Sequence, residues 1–117
     1  MTETCTGSCQ CGAVAWEAEA DISNPIACNC SRCRRLGSVL VFTPREQFRL
    51  LKGEGDLSEY RFNKGVIRHL FCKTCGIESF AFGQLPDGTE MAALNLNCMD
   101  GVDARAMTPH VHDGASA

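Results

Sequence analysis

Seven of the nine cysteines fall into three clusters: Cys9-Gln10-Cys11-Gly12, Cys28-Asn29-Cys30-Ser31-Arg32-Cys33 and Cys72-Lys73-Thr74-Cys75-Gly76. Thiolates are ligands for soft and borderline metals, and zinc takes four of them in a tetrahedron. In an extended segment residues i and i+2 project to one side, so Cys9 and Cys11 are expected to face a single ion. Cys-x-x-Cys-Gly reads as a zinc knuckle, in which Gly76 supplies the permissive backbone after the second thiolate. Cys9, Cys11, Cys72 and Cys75 then make a closed four-cysteine site with Zn–S distances of about 2.3 Å. Such a site would tie the first strand to a hairpin around residues 66–82. Structural zinc binds with about 10–16 kcal/mol, against about 5–15 kcal/mol for the whole stability of a small domain. Its removal is expected to unfold the chain. The rival reading of Cys72-Lys73-Thr74-Cys75, a redox pair, would leave Cys9 and Cys11 without partners.

The middle cluster offers three thiolates within six residues, with no fourth cysteine close in sequence. Three protein ligands and an open position is the pattern of a catalytic zinc, which polarises a carbonyl or holds a thiol as its thiolate. The alternative is a second closed structural site with Cys5, Cys98, His69 or His110 as fourth ligand. Cys98 otherwise reads as a small buried hydrophobe, Cys5 as a free thiol, and His110 and His112 as solvated surface. Zinc held by three or four thiolates is left net negative, and Arg32, Arg34, Arg35, Arg68 and Lys73 lie close to the cysteines in sequence. They either neutralise these sites or, at Arg34, Arg35 and Arg68, receive the carboxylates of an acidic substrate.

The elements that must position these residues are mostly short strands. The chain has 117 residues, 44% of them hydrophobic, which fits one domain over 1–117. Period-two patterning marks a strand at 13–19, with Val14, Trp16 and Ala18 on one face and Glu17 and Glu19 on the other. Residues 39–43 read as a buried strand, and further strands are expected at 48–52, 57–62, 66–71, 78–82 and 91–96. Gly53-Glu54-Gly55, Asn63-Lys64-Gly65 and Pro86-Asp87-Gly88 suit turns between them. Thr43-Pro44-Arg45-Glu46 has the form of a capping box opening a helical turn, and 31–36 is the other helical candidate. The tail after about residue 101 is expected to be partly irregular.

The net charge of −3, without a basic block, argues against nucleic acid or anionic lipid as a partner. Met1-Thr2-Glu3-Thr4 lacks a signal-peptide n-region, and no stretch is long enough to span a membrane. A reducing cytoplasm is the expected compartment, where nine cysteines do not form a disulfide framework. The sequence assigns no oligomeric state.

Taken in order and spacing, the motifs resemble the glutathione-dependent formaldehyde-activating enzymes and their centromere protein V relatives. The matching stretches are Gly7-Ser8-Cys9-Gln10-Cys11-Gly12-Ala13-Val14, Cys28-Asn29-Cys30-Ser31-Arg32-Cys33-Arg34-Arg35, Thr43-Pro44 and Phe71-Cys72-Lys73-Thr74-Cys75-Gly76, with a weaker match at Asn95-Leu96, Asp100 and Pro109-His110. The resemblance implies a mainly β fold, a β-tent of antiparallel strands converging on a structural zinc, with one or two short helices. It assigns Cys9, Cys11, Cys72 and Cys75 to that zinc and Cys28, Cys30 and Cys33 to a catalytic one, giving two zinc ions per chain. The implied activity is that of a carbon–sulfur lyase, with glutathione as the small thiol and S-hydroxymethylglutathione as its adduct. Asn29 stands where family members often carry histidine, as does Cys5. The reading from a different class is a non-catalytic zinc module that binds a protein partner through its sheet.

Overall fold

The computed structural model describes residues 2–62 and 65–116. Asn63 and Lys64 of the expected Asn63-Lys64-Gly65 turn lie outside the described residues. The chain runs through β1 (Glu3–Ser8), β2 (Ala15–Ala20), β3 (Ile26–Cys28), α1 (Ser31–Leu36), β4 (Leu40–Pro44), β5 (Phe48–Lys52), β6 (Leu57–Tyr60), β7 (Arg68–Cys72), β8 (Phe80–Gln84), β9 (Glu90–Asn95) and β10 (His110–His112), joined by short 3-10 turns. It is a mainly β fold with little helix.

Alternation drives the packing. Along β2 every second residue is buried: Trp16, Ala18 and Ala20 face inward while Glu17 and Glu19 face out to Arg49. β1, β2 and β5 form an antiparallel three-stranded sheet, and the other seven strands form a second sheet in the order β10-β3-β4-β9-β8-β7-β6. The core lies between the sheets. Its centre is aromatic: the Phe48 ring lies 5.8 Å from Trp16 and 4.7 Å from Phe80, with Val41, Leu70 and Leu94 packed around them. Gly7 sits opposite Trp16 in the β1–β2 register, and a Cβ there would come within 2.3 Å of the indole ring. Glycine is required at that crossing.

Two expectations change in detail. The helical turn after β4 is present as a 3-10 turn at Arg45–Gln47, but Pro44 occupies its N-cap and no side chain caps it. Thr43 instead belongs to β4, buried, and its hydroxyl donates to the Glu19 carbonyl at 2.6 Å, pinning one sheet to the other. The tail is also more ordered than its composition suggests. β10 pairs in parallel with β3, placing His112 opposite Cys28. Among the described residues no helix is long and apolar enough to cross a membrane.

Candidate metal centres

Cys9 and Cys11 lie in the turn that follows β1, while Cys72 ends β7 and Cys75 lies in the turn after it. The two turns are built alike. Cys9 N–H donates to the Val14 carbonyl at 3.0 Å, and Cys72 N–H to the Ile77 carbonyl at 3.1 Å. Each passes through a glycine in the left-handed region, Gly12 at φ 81° and Gly76 at φ 78°. Cys9 and Cys11 therefore converge from a knuckle of their own rather than from one side of an extended strand. The four sulfurs lie within 4.8 Å of one another, with Cys9–Cys11 and Cys11–Cys72 separations of 3.7 Å. A tetrahedron with arms of about 2.3 Å has edges of about 3.8 Å, so the set fits a four-coordinate zinc. Backbone N–H groups already favour the thiolate: hydrogen bonds in the Cys11 and Ile77 region bring the Cys75 thiol down to about 6.

The second cluster is local. Cys28 ends β3, Cys30 is the N-cap of α1 and Cys33 lies in its first turn. The Cys30 sulfur accepts the Cys33 N–H at 3.3 Å, taking the capping role that serine or aspartate usually fills, and Cys28 accepts the Cys30 N–H at 3.5 Å. Their three sulfurs also lie within 4.8 Å of one another, and among the described residues no fourth histidine, cysteine or carboxylate joins the group. Burial opposes ionisation of Cys30, but the Cys33 N–H and the neighbouring sulfurs outweigh it and lower its pKa. Burial and the adjacent Cys30 push Cys33 up to about 12. Gly37, left-handed at φ 68°, stops the helix by donating to the Cys33 carbonyl at 2.9 Å.

Residues 4–114 match the family model described as glutathione-dependent formaldehyde-activating enzyme. The chain belongs to the glutathione-dependent formaldehyde-activating enzyme family. A crystal structure of a Rhodobacter sphaeroides protein, solved as a structural genomics target, is similar in fold. It superposes with a TM-score of 0.81 at 30% identity, covering 91% of this chain and 97% of that one.

This member of the family places its other candidate residues unevenly. Cys5 is buried on β1 and Cys98 ends a 3-10 turn after β9; both are free thiols outside the two groups. Burial, then the charges of Cys9, Cys75 and Glu78, push Cys98 up to about 11, which keeps it protonated. Arg34 and Arg35 occupy the exposed last turn of α1, where cations complement the helix C-terminus. Arg68 pairs with Glu59 at 2.9 Å on the β6–β7 hairpin. His69 is buried, with Nδ1 3.1 Å from Glu78 Oε2. Arg32, between Cys30 and Cys33 in sequence, donates twice to the other Glu78 oxygen at 2.7 and 3.2 Å and stacks over Tyr60. Glu78, and the contacts of Asn29 with Asp113 and Ala115, carry no signal in the sequence. No spacing rule pairs residues 46 or 84 positions apart.

Proposed function

We propose that this chain is a zinc-dependent carbon–sulfur lyase that makes or breaks the bond between a small thiol, glutathione foremost, and an aldehyde carbon, as in S-hydroxymethylglutathione. The observation that carries the reading is the inequality of the two cysteine groups: one offers four converging sulfurs, the other three. On this reading Cys9, Cys11, Cys72 and Cys75 hold a structural zinc at which the two sheets converge as a β-tent. Cys28, Cys30 and Cys33 hold a catalytic zinc, giving two ions per chain, in a reducing cytoplasm that keeps the thiols unpaired.

Zinc bound by three thiolates supplies a Lewis acid with room for one further ligand, a thiolate or an aldehyde oxygen. The protein's part is to fix that position. The Cys30 cap and the Gly37 stop hold α1 to a single short length, so Cys30 and Cys33 keep a constant separation. In the synthetic direction the thiol sulfur bonds to the aldehyde carbon, the carbonyl π pair moves to oxygen, and the thiol proton ends on that oxygen. A depression of about 580 Å³ adjoins the C-terminal end of α1 between Leu36, Gly37, Asn97, Asp103 and Arg105. None of the three cysteines lines it, so it would receive only the charged far end of a peptide thiol whose sulfur sits at the other end of α1. Arg34 and Arg35 add positive charge on the same helix end, and Arg68 is a further candidate for a substrate carboxylate.

Metal analysis and titration of glutathione into cobalt-substituted protein test the proposal. The expected result is two metals per chain and a change in the cobalt spectrum as the thiol enters. One firmly held zinc, with Cys28, Cys30 and Cys33 open to alkylation in the native protein, would sink the enzyme reading in favour of a non-catalytic zinc module.

A further inference from the structure

Residues 110–116 are fastened across the three-cysteine group. β10 pairs with β3 so that His112 stands opposite Cys28, and the Asn29 N–H donates to the His112 carbonyl at 3.1 Å. Register partners on adjacent strands project to the same face, so the imidazole and the Cys28 sulfur flank one another. Beyond the strand, the Asn29 side chain holds the chain with both ends of its amide. Its nitrogen donates to Asp113 Oδ1 at 3.1 Å and its oxygen accepts the Ala115 N–H at 2.9 Å. Between these two anchors lies Gly114, and a Cβ there would come within 2.6 Å of Cys28 Sγ and 3.4 Å of Cys30 Cβ. The backbone at this point is packed on the cysteines more closely than any residue but glycine allows.

We infer that residues 110–116 are a strap, latched by Asn29, which shields Cys28 and sets how fast the three-cysteine centre exchanges its metal. The inference rests on the reading that this centre binds zinc, and it adds Asn29, Asp113 and Gly114 as positioning residues. Two independent features support it. One is a side chain between two cysteines of the group whose donor and acceptor both go to the strap. The other is a glycine where the strap meets the sulfur. A thiolate bonded to zinc leaves when its sulfur can be approached and the local backbone can yield. The strap restricts both on the Cys28 side.

The test uses the zinc-loaded full chain with excess chromophoric chelator, alongside limited iodoacetamide labelling read by peptide mass spectrometry. In the parent, zinc is expected to leave in a fast phase from the three-cysteine centre and a slow phase from the four-cysteine one. Asn29→Ala, which removes two hydrogen bonds, and Gly114→Ala, whose methyl would push the strap off Cys28 Sγ, should each accelerate the fast phase by about tenfold. Both should also raise Cys28 labelling relative to Cys33, while an unchanged slow phase shows that the fold is retained. Asp113→Asn keeps the acceptor oxygen and should behave as the parent, which a purely electrostatic role would not permit. Fast-phase rates and Cys28 labelling equal to the parent's in both alanine variants would overturn the strap. If the parent holds only one zinc, the enzyme reading fails by itself; Cys28 labelling then decides the strap alone, and no increase in the alanine variants overturns it.

Discussion

The two cysteine centres use the same ligand atoms and are built in opposite ways. The four-cysteine centre joins two turns far apart in the chain, its nearest cross-pair in sequence separated by 61 positions, and Cys9 and Cys72 merge with the core. Cys9 and Cys72 are 3% and 0% exposed. The three-cysteine centre spans six residues on a half-exposed strand end and one short helix. A metal that closes a long loop between sheets constrains the unfolded chain strongly, whereas one that closes a local loop constrains it little. On the proposed reading the difference teaches where stability and exchange reside: the long-range centre would hold the fold together, and the local one would be free to serve as a site. Arg32 and Glu78 link the two, joining α1 to the segment that follows Cys75.

The largest expected effect comes from breaking the long-range centre. Cys72→Ala should leave the chain unable to reach its native state, measured as loss of the cooperative thermal transition and of both metals. Cys30→Ala sharpens the contrast: zinc content should fall from two ions to one and turnover with glutathione should vanish, while the β circular dichroism persists. Should both variants unfold alike, the centres are not different in kind. Next comes the link. Glu78→Ala strips a half-buried guanidinium and a buried imidazole of their shared carboxylate, and should cost about 2 kcal/mol in urea denaturation. It should also accelerate zinc loss from the three-cysteine centre more than from the other. The smallest effect is expected at Arg68→Ala, which breaks a solvent-exposed pair with Glu59. Its denaturation midpoint should match the parent's, so any rise in KM for glutathione would report a substrate contact rather than a structural one.

Much of this was legible in the residues. Period-two alternation identified β2 with its buried Trp16 and Ala18, and local composition located β5 at Phe48–Lys52 and α1 at Ser31–Leu36. These signals are readable because strand pleat and helix turn are local periodicities. Thr43 shows where local reading stops. Its spacing to Glu46 suits a capping box, but burial against the other sheet gave its hydroxyl a carbonyl to serve instead. β1 and β3 lie beyond local reading for the same reason: Glu3–Ser8 is largely polar and Ile26–Cys28 only three residues long, and both are strands because partners lie beside them.

By itself, then, the sequence determined the three cysteine clusters, because spacing within each is set by the reach of a few residues around one ion; the convergence of the first with the third is a tertiary fact. Family membership followed from the same spacing. Only the tertiary structure decided how the second group is surrounded. Asn29 meets Asp113 and Ala115 across 84 and 86 positions, and Gly114 meets Cys28, through contacts that no local rule encodes. They arise from a parallel pairing of β10 with β3, and such a pairing exists only once the sheet between them and the rest of the chain has formed.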